Sequence, residues 1–310
     1  MQADAYRSVL APGLFDGQTV IVTGGGSGIG RCIAHELAHL GAQVVITGRT
    51  AEKLERVAQE ITDDGGKVAT RTCDTRDEEG VTKLVTSVVE EFGVIHGLVN
   101  NAGGQFPSPL ADMSGKGFAA VVRNNLFGSF HMAREVFRQS MRDNGGSIVY
   151  ITADCDNGFP GMGHTGAARA GTENLVKTAA WEWGIHGVRS NAVGVGWIES
   201  AGLDTYDGAI DDSIRRATRN IPLGRMGTEA EASALVCFLL SPAAGFINGD
   251  TVHFDGGGRF ASAATVAPLR DEKPNKVPAF QGFHRARRPK AVQNLSPSTG
   301  SQDESNDSNQ

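Results

Sequence analysis

The sequence has no CxxC pair: its four cysteines, Cys32, Cys73, Cys155 and Cys237, stand alone, and no histidine spacing joins them into a zinc site. Neither structural disulfides nor a bound metal is expected. No apolar run approaches the roughly 18 residues of a membrane-spanning helix, and residues 1–18 lack the basic, then apolar, then small-residue order of a secretory signal. A cytoplasmic location is the expectation. Positive charge is also in deficit, with 29 Lys and Arg against 35 Asp and Glu in 310 residues, a net charge of −6. That balance argues against a nucleic-acid binder, which needs a basic face for phosphates. What is abundant is glycine, 41 residues in a chain that is 40% hydrophobic and 21% charged. Such a composition suits a globular fold with many turns set by backbone shape.

From about residue 18 to 258, short β-branched runs such as Thr19-Val20-Ile21-Val22 and Val44-Val45-Ile46-Thr47 alternate with longer helical patterns. This alternation predicts an α/β fold: one doubly wound Rossmann-type domain with a seven-stranded parallel sheet and helices on both faces. Residues 1–13 read as an N-terminal extension, 14–260 as the nucleotide-binding reductase domain and 261–310 as a largely disordered tail rich in proline and polar residues. The basic cluster Arg285-Ala286-Arg287-Arg288-Pro289-Lys290 in that tail reads first as solvated charge. Contact with an anionic surface or an adenine-nucleotide phosphate is its alternative.

The first strand runs into Thr23, Gly24, Gly25, Gly26, Ser27, Gly28, Ile29 and Gly30, then a helix. Glycines at such a strand-to-helix turn let a pyrophosphate approach backbone N–H groups at the helix N-terminus. The second strand ends at Ile46-Thr47-Gly48-Arg49 with no carboxylate to take the ribose hydroxyls of NAD. Arg49 favours a 2′-phosphate, hence NADP(H).

With these pieces, Asp74, Asn100-Asn101-Ala102-Gly103, Asn125 and Asp255-Gly256-Gly257 make the chain resemble the short-chain dehydrogenase/reductase family over about residues 14–260. The resemblance implies that Asp74 binds the adenine amino group. Asn101, Ala102 and Gly103 floor the nicotinamide ribose, and Asn125 holds a water or kinks its helix. It implies further cofactor contacts at Gly196 and Ile198, and a homotetramer or homodimer. Two helical stretches, 115–143 and 165–184, are apolar on more than one side, as they would be if paired with a second copy.

Common family members use a Ser, then Tyr-x-x-x-Lys on one helix face, where Lys lowers the Tyr pKa for proton exchange with an alcohol oxygen. Here the Tyr position falls on Thr165, the Lys position on Arg169, and the Ser position on Thr152 or Ala153. Arg169 can donate to the ribose but does not lose its proton near neutrality. Such a site is poorly equipped to protonate an alkoxide, yet suited to an enolate formed when hydride adds to the double bond of an unsaturated thioester. The segments Gly103-Gly104-Gln105-Phe106, Gly158-Phe159-Pro160 and His164-Thr165-Gly166-Ala167-Ala168-Arg169 resemble peroxisomal trans-2-enoyl-CoA and 2,4-dienoyl-CoA reductases. Pro160-Gly161-Met162-Gly163-His164 also resembles bacterial citronellol/citronellal dehydrogenases.

The expected activity is therefore NADPH-dependent reduction of an enoyl-CoA C=C bond. Oxidation of acyclic terpenols and a catalytically inactive NADP(H)-binding sensor or scaffold are the alternatives. His164 is the leading candidate acid, with Asp154 orienting it or binding substrate. Thr152, Thr165 or His164 would polarise the thioester oxygen. Glu173, four residues after Arg169 and four before Lys177, reads as part of an ion-pair ladder.

Overall fold

A computed structural model of the protein describes residues 5–206, 218, 220–260 and 277–293. Seven parallel strands, β1 (Thr19–Thr23), β2 (Gln43–Gly48), β3 (Lys67–Thr72), β4 (Gly97–Asn100), β5 (Gly146–Ala153), β6 (Val188–Val195) and β9 (Thr251–Phe254), form one sheet in the order β3-β2-β1-β4-β5-β6-β9. The order reverses between β1 and β4. In an open sheet of this kind the ligand crevice lies beyond the carboxyl ends of the strands at that switch point. A small second sheet pairs β7 (Ile198–Glu199) with β8 (Gly227–Thr228) and was not foreseen, since two residues give no periodic signal.

Alternation along the central strands explains the two layers of helices. Val20, Val22, Val44, Ile46, Val99, Val149 and Ile151 point to one face, where they pack against Ile33 and Leu37 of α1 (Gly28–His39), Leu54, Val57 and Ile61 of α2 (Ala51–Asp63), and Val236 and Leu240 of α8 (Glu229–Leu240). Ile21, Val45, Leu98, Ile148 and Tyr150 point to the other, against Val81, Leu84, Val85 and Val88 of α3 (Glu78–Phe92), Met132 and Val136 of α5 (Gly128–Val136), and Val176 of α7 (Gly163–Gly184). Both faces of every central strand are thus buried, which is why these strands read as unbroken apolar runs. α8 begins with a capping box in which Thr228 and Glu231 satisfy each other's backbone N–H groups.

The expected single helix over 115–143 is interrupted. α4 (Gly115–Val122) passes through a wide π-helical turn at Arg123–Phe127 into α5, and a second such turn at Phe137–Met141 leads to α6 (Arg142–Asn144). Asn125 sits in the first turn, where its Nδ2 donates to Val121 O at 2.9 Å and to Gly104 O at 2.8 Å. Diverting that side chain to the 101–105 loop accompanies the widened helix.

The terminal segments also need correction. Residues 277–293, expected to be disordered, form a strap on the domain: Phe283 is buried against Tyr6, Cys32 and Ala230, and Val292 against Leu203 and Met226. Arg285 pairs with Asp64 at 2.6 Å, Arg31 Nη1 donates to Arg285 O at 3.2 Å, and Arg7 N donates to Gly282 O at 2.9 Å. Tyr6, in the expected extension, thereby joins the core. Local composition predicted disorder because the strap's partners lie from about 50 to more than 270 residues away in sequence. The stretches 261–276 and 294–310 lie outside the described residues.

Candidate active site

The glycine turn after β1 is built for close approach. Gly24 and Gly28 have φ of 67° and 57°, the left-handed region that penalises any Cβ. A Cβ on Gly30 would lie 2.4 Å from Asn101 Nδ2 and 2.5 Å from Gly24 O. Thr23, at the end of β1, ties this turn to the loop after β4. Its Oγ1 accepts from Asn101 N at 3.0 Å and Ala102 N at 2.9 Å and donates to Val99 O, while Asn101 Nδ2 donates to Thr23 O at 2.9 Å. Gly26, Ser27 and Ile29 complete the turn into α1, whose N-terminus faces the switch point. Such a cradle of free backbone N–H groups fits a dinucleotide's pyrophosphate.

At the end of β3, Asp74 is held by Arg76, which donates to it from Nε at 2.9 Å and from its backbone N at 3.0 Å. Arg76 keeps the Asp74 carboxyl below the usual range, with Arg49 adding to the effect from the end of β2. The sequence reading missed Arg76. It places a second guanidinium beside the acid expected at the adenine, and its position two residues after Asp74 is the signal that was available. Gly196 follows β6, where its N–H donates to Phe254 O, and Ile198 opens β7 with 5% exposure.

The α7 residues gather beneath the 101–106 loop. His164 and Thr165 are fully buried, with 3.1 Å between His164 Nδ1 and Thr165 Oγ1, and Phe106 stands edge-on to the imidazole at 4.6 Å. Burial lowers the pKa of the His164 ring, opposed by backbone hydrogen bonding at Met162 and Phe106. One turn on, Arg169 Nη1 donates to Ile151 O at 2.5 Å while its Nε is unpartnered. Burial brings Arg169 down to about 10, so it remains a cation at neutral pH. Gly103 packs between two of these side chains: a Cβ there would lie 2.6 Å from Arg169 Nη2 and 2.6 Å from Asn125 Oδ1.

Two expectations fail, Thr152 as a donor and the Glu173 ladder, and of the two roles expected of Asp154 the orienting one fails. Thr152 does not offer its hydroxyl to a ligand, because Oγ1 donates to Glu173 Oε1 at 2.9 Å and lies 3.3 Å from Val193 O. Glu173 forms no ladder with Arg169 and Lys177. It is half-buried against the end of β5, takes the Thr152 hydroxyl with Cys155 Sγ 4.0 Å away, and burial raises its pKa. Asp154 does not orient His164, whose Nδ1 is matched to Thr165. Its carboxyl instead joins Asp156 and His253, and burial together with Asp255 pushes it up. That trio's possible ligand atoms lie within 4.8 Å of one another, with His253 Nε2 3.2 Å from Asp156 Oδ2.

A family model described as enoyl-(acyl carrier protein) reductase matches residues 24–258, three quarters of the chain. The chain belongs to the short-chain dehydrogenase/reductase family. It is an oxidoreductase of that family, which uses a nicotinamide cofactor and a small-molecule substrate. Among curated relatives, it is 37% identical over 243 residues to the Bacillus subtilis protein named "Probable 2,4-dienoyl-CoA reductase [(2E)-enoyl-CoA-producing]", covering 77% of this chain and 96% of that one. It is 33% identical over 270 residues to a peroxisomal 2,4-dienoyl-CoA reductase of Danio rerio, covering 85% and 89%. Among solved structures, the citronellol catabolism dehydrogenase AtuB of Pseudomonas aeruginosa PAO1 matches with 57% identity and a TM-score of 0.74, over 82% of this chain and all of that one. Among the described residues, no helix is long and apolar enough to cross a membrane.

Proposed function

We propose that this short-chain reductase uses NADPH to reduce the C=C bond of an α,β-unsaturated acyl thioester, of the trans-2-enoyl-CoA or 2,4-dienoyl-CoA type. The observation that carries this reading is the buried, unpartnered donor Arg169 Nε on α7, at the helix where a phenol and an ammonium stand in common family members. Leaving a buried donor unmade costs about 1–3 kcal/mol, so Arg169 Nε argues for a ligand that supplies its acceptor. The bound nicotinamide supplies the hydride. The chain's task is then to hold the negative charge that develops on the thioester oxygen.

Arg169 is a fixed cation with a free N–H, and preorganised donors of this kind stabilise an enolate without moving. When Thr165 donates its hydroxyl proton to His164 Nδ1, the neutral imidazole carries its proton on Nε2 and becomes a second donor. Protonation at the α-carbon needs only a weak acid, and His164 or water fills that role. A ketone substrate would leave a strongly basic alkoxide, for which Thr165 has no useful acidity. Preference for NADPH rests on Arg49 and Arg76, two guanidinium groups with no free carboxylate at the end of β2. The sensor or scaffold alternative predicts dinucleotide binding without turnover.

Arg169→Met should lower kcat with enoyl-CoA about a hundredfold or more, the usual loss for one oxyanion donor, with little change in thioester KM. An unchanged kcat would remove the reading. The second reading, oxidoreduction of an acyclic terpenol such as citronellol, is favoured by the 57% identity to AtuB. It requires His164 to exchange a proton with a carbinol oxygen, so His164→Ala would abolish alcohol turnover.

A further inference from the structure

The strap at 277–293 lies beyond residue 258, where the family match ends, and a cavity sits beneath it. The cavity measures about 230 Å³, below the ~300–1,000 Å³ of a complete ligand pocket. Its lining brings Arg287 and Arg288 of the strap opposite Glu199 of β7 and Glu229 of α8. Glu229 links this cavity to the glycine turn: its Oε1 lies 3.9 Å from where a Cβ on Gly28 would stand, and Ser200 Cβ lies at the same distance. The strap also touches the first turn of α1 through Arg31, is pinned to Asp64 just after α2, and ends where Val292 packs on Leu203 of the segment following β7. It therefore runs from α1 and the end of α2 to the segment after β7, and approaches the pyrophosphate cradle where Glu229 meets Gly28.

We propose that Arg287 and Arg288 are cofactor-binding residues supplied by the C-terminal strap, directed at the bridging pyrophosphate of the nicotinamide dinucleotide. Two guanidinium groups facing a buried acid make a charge arrangement that a diphosphate can take over, since each forms charge-assisted, paired hydrogen bonds with phosphate oxygens. Glu199 and Arg288 line the same cavity, on β7 and the strap respectively. The strap thus acts as a clasp: the dinucleotide leaves only when residues 285–289 lift from the cavity. This inference rests on the dinucleotide site but not on the enoyl-CoA reading.

The test is stopped-flow release of NADPH, and in parallel NADH, from the full-length chain. Arg287→Ala/Arg288→Ala should release the nucleotide about tenfold faster than wild type and flatten the salt dependence of its affinity. Arg287→Glu/Arg288→Glu should speed release further at low salt, with the difference shrinking at high salt. Asp64→Ala, which cuts the latch without altering the cavity lining, should also accelerate release while raising amide exchange over 280–292. Both arginines are exposed, so these variants should fold. Unchanged release and unchanged salt dependence in both arginine variants would overturn the proposal. A chain that binds neither nucleotide would instead overturn the dinucleotide site itself.

Discussion

Glu229 offers a sharp quantitative check on the energetics around the cofactor crevice. It is the first residue of α8 and only 8% exposed, and burial moves its carboxyl from 4.5 to about 7 despite the favourable Arg31 charge and the Ala201 backbone. Between those two pH values the folded protein holds a proton at Glu229 that the unfolded chain has released. Stability therefore falls as pH rises from about 4.5 to 7, and above 7 the folded state carries the whole cost. The displacement corresponds to about 3 kcal/mol. Glu229→Gln keeps the shape and removes the charge, so the variant should exceed wild type by up to about 3 kcal/mol at pH 8, with the gain vanishing near pH 4.5. At roughly 2–4 °C per kcal/mol for a domain of this size, Tm at pH 8 should rise on the order of 10 °C. Urea unfolding of both proteins at half-unit pH steps measures the difference directly. A pH-independent difference, or a variant no more stable at pH 8, would refute the assigned burial cost.

Three further outcomes follow from named contacts. Arg49→Glu should weaken NADPH about tenfold or more while leaving NADH binding intact or improved, read by fluorescence titration with each nucleotide. Gly103→Ala forces a methyl against Arg169 and Asn125, so turnover should fall at least about tenfold while circular dichroism remains that of wild type. Phe130, 40% exposed on α5, and Trp181, 87% exposed on α7, belong to the helices expected to pair in a homodimer or homotetramer. Phe130→Asp/Trp181→Glu should shift the mass seen by light scattering toward the monomer.

The parts of this architecture legible in the sequence are those encoded by near neighbours. Alternating apolar runs located all seven strands of the main sheet, because each central strand is buried on both faces. The glycine turn was legible because its glycines follow one another between a strand and a helix, although the neighbours that require Gly24 and Gly30, Asn101 foremost, lie far along the chain. Contacts between distant segments were not legible. Thr152 and Glu173 stand 21 residues apart on a strand and a helix, and no spacing rule pairs them, so a local helix ladder seemed the simpler account of Glu173. Orphaned atoms such as Arg169 Nε depend on what fails to lie nearby, which only three dimensions reveal. The strap shows the same limit from the other side. Its composition is that of a disordered tail, but Phe283, Val292 and the Asp64–Arg285 pair supply enough specific anchors to hold it.

The central claim is that α7 carries donors for an enolate and lacks the acid an alkoxide needs. The most direct measurement is NADPH oxidation by the purified full-length protein against crotonyl-CoA, decenoyl-CoA, a 2,4-dienoyl-CoA and citronellal, each at saturating concentration. Turnover of the thioesters with little or no reduction of citronellal is the predicted result. Brisk reduction of citronellal beside silent thioesters would contradict it.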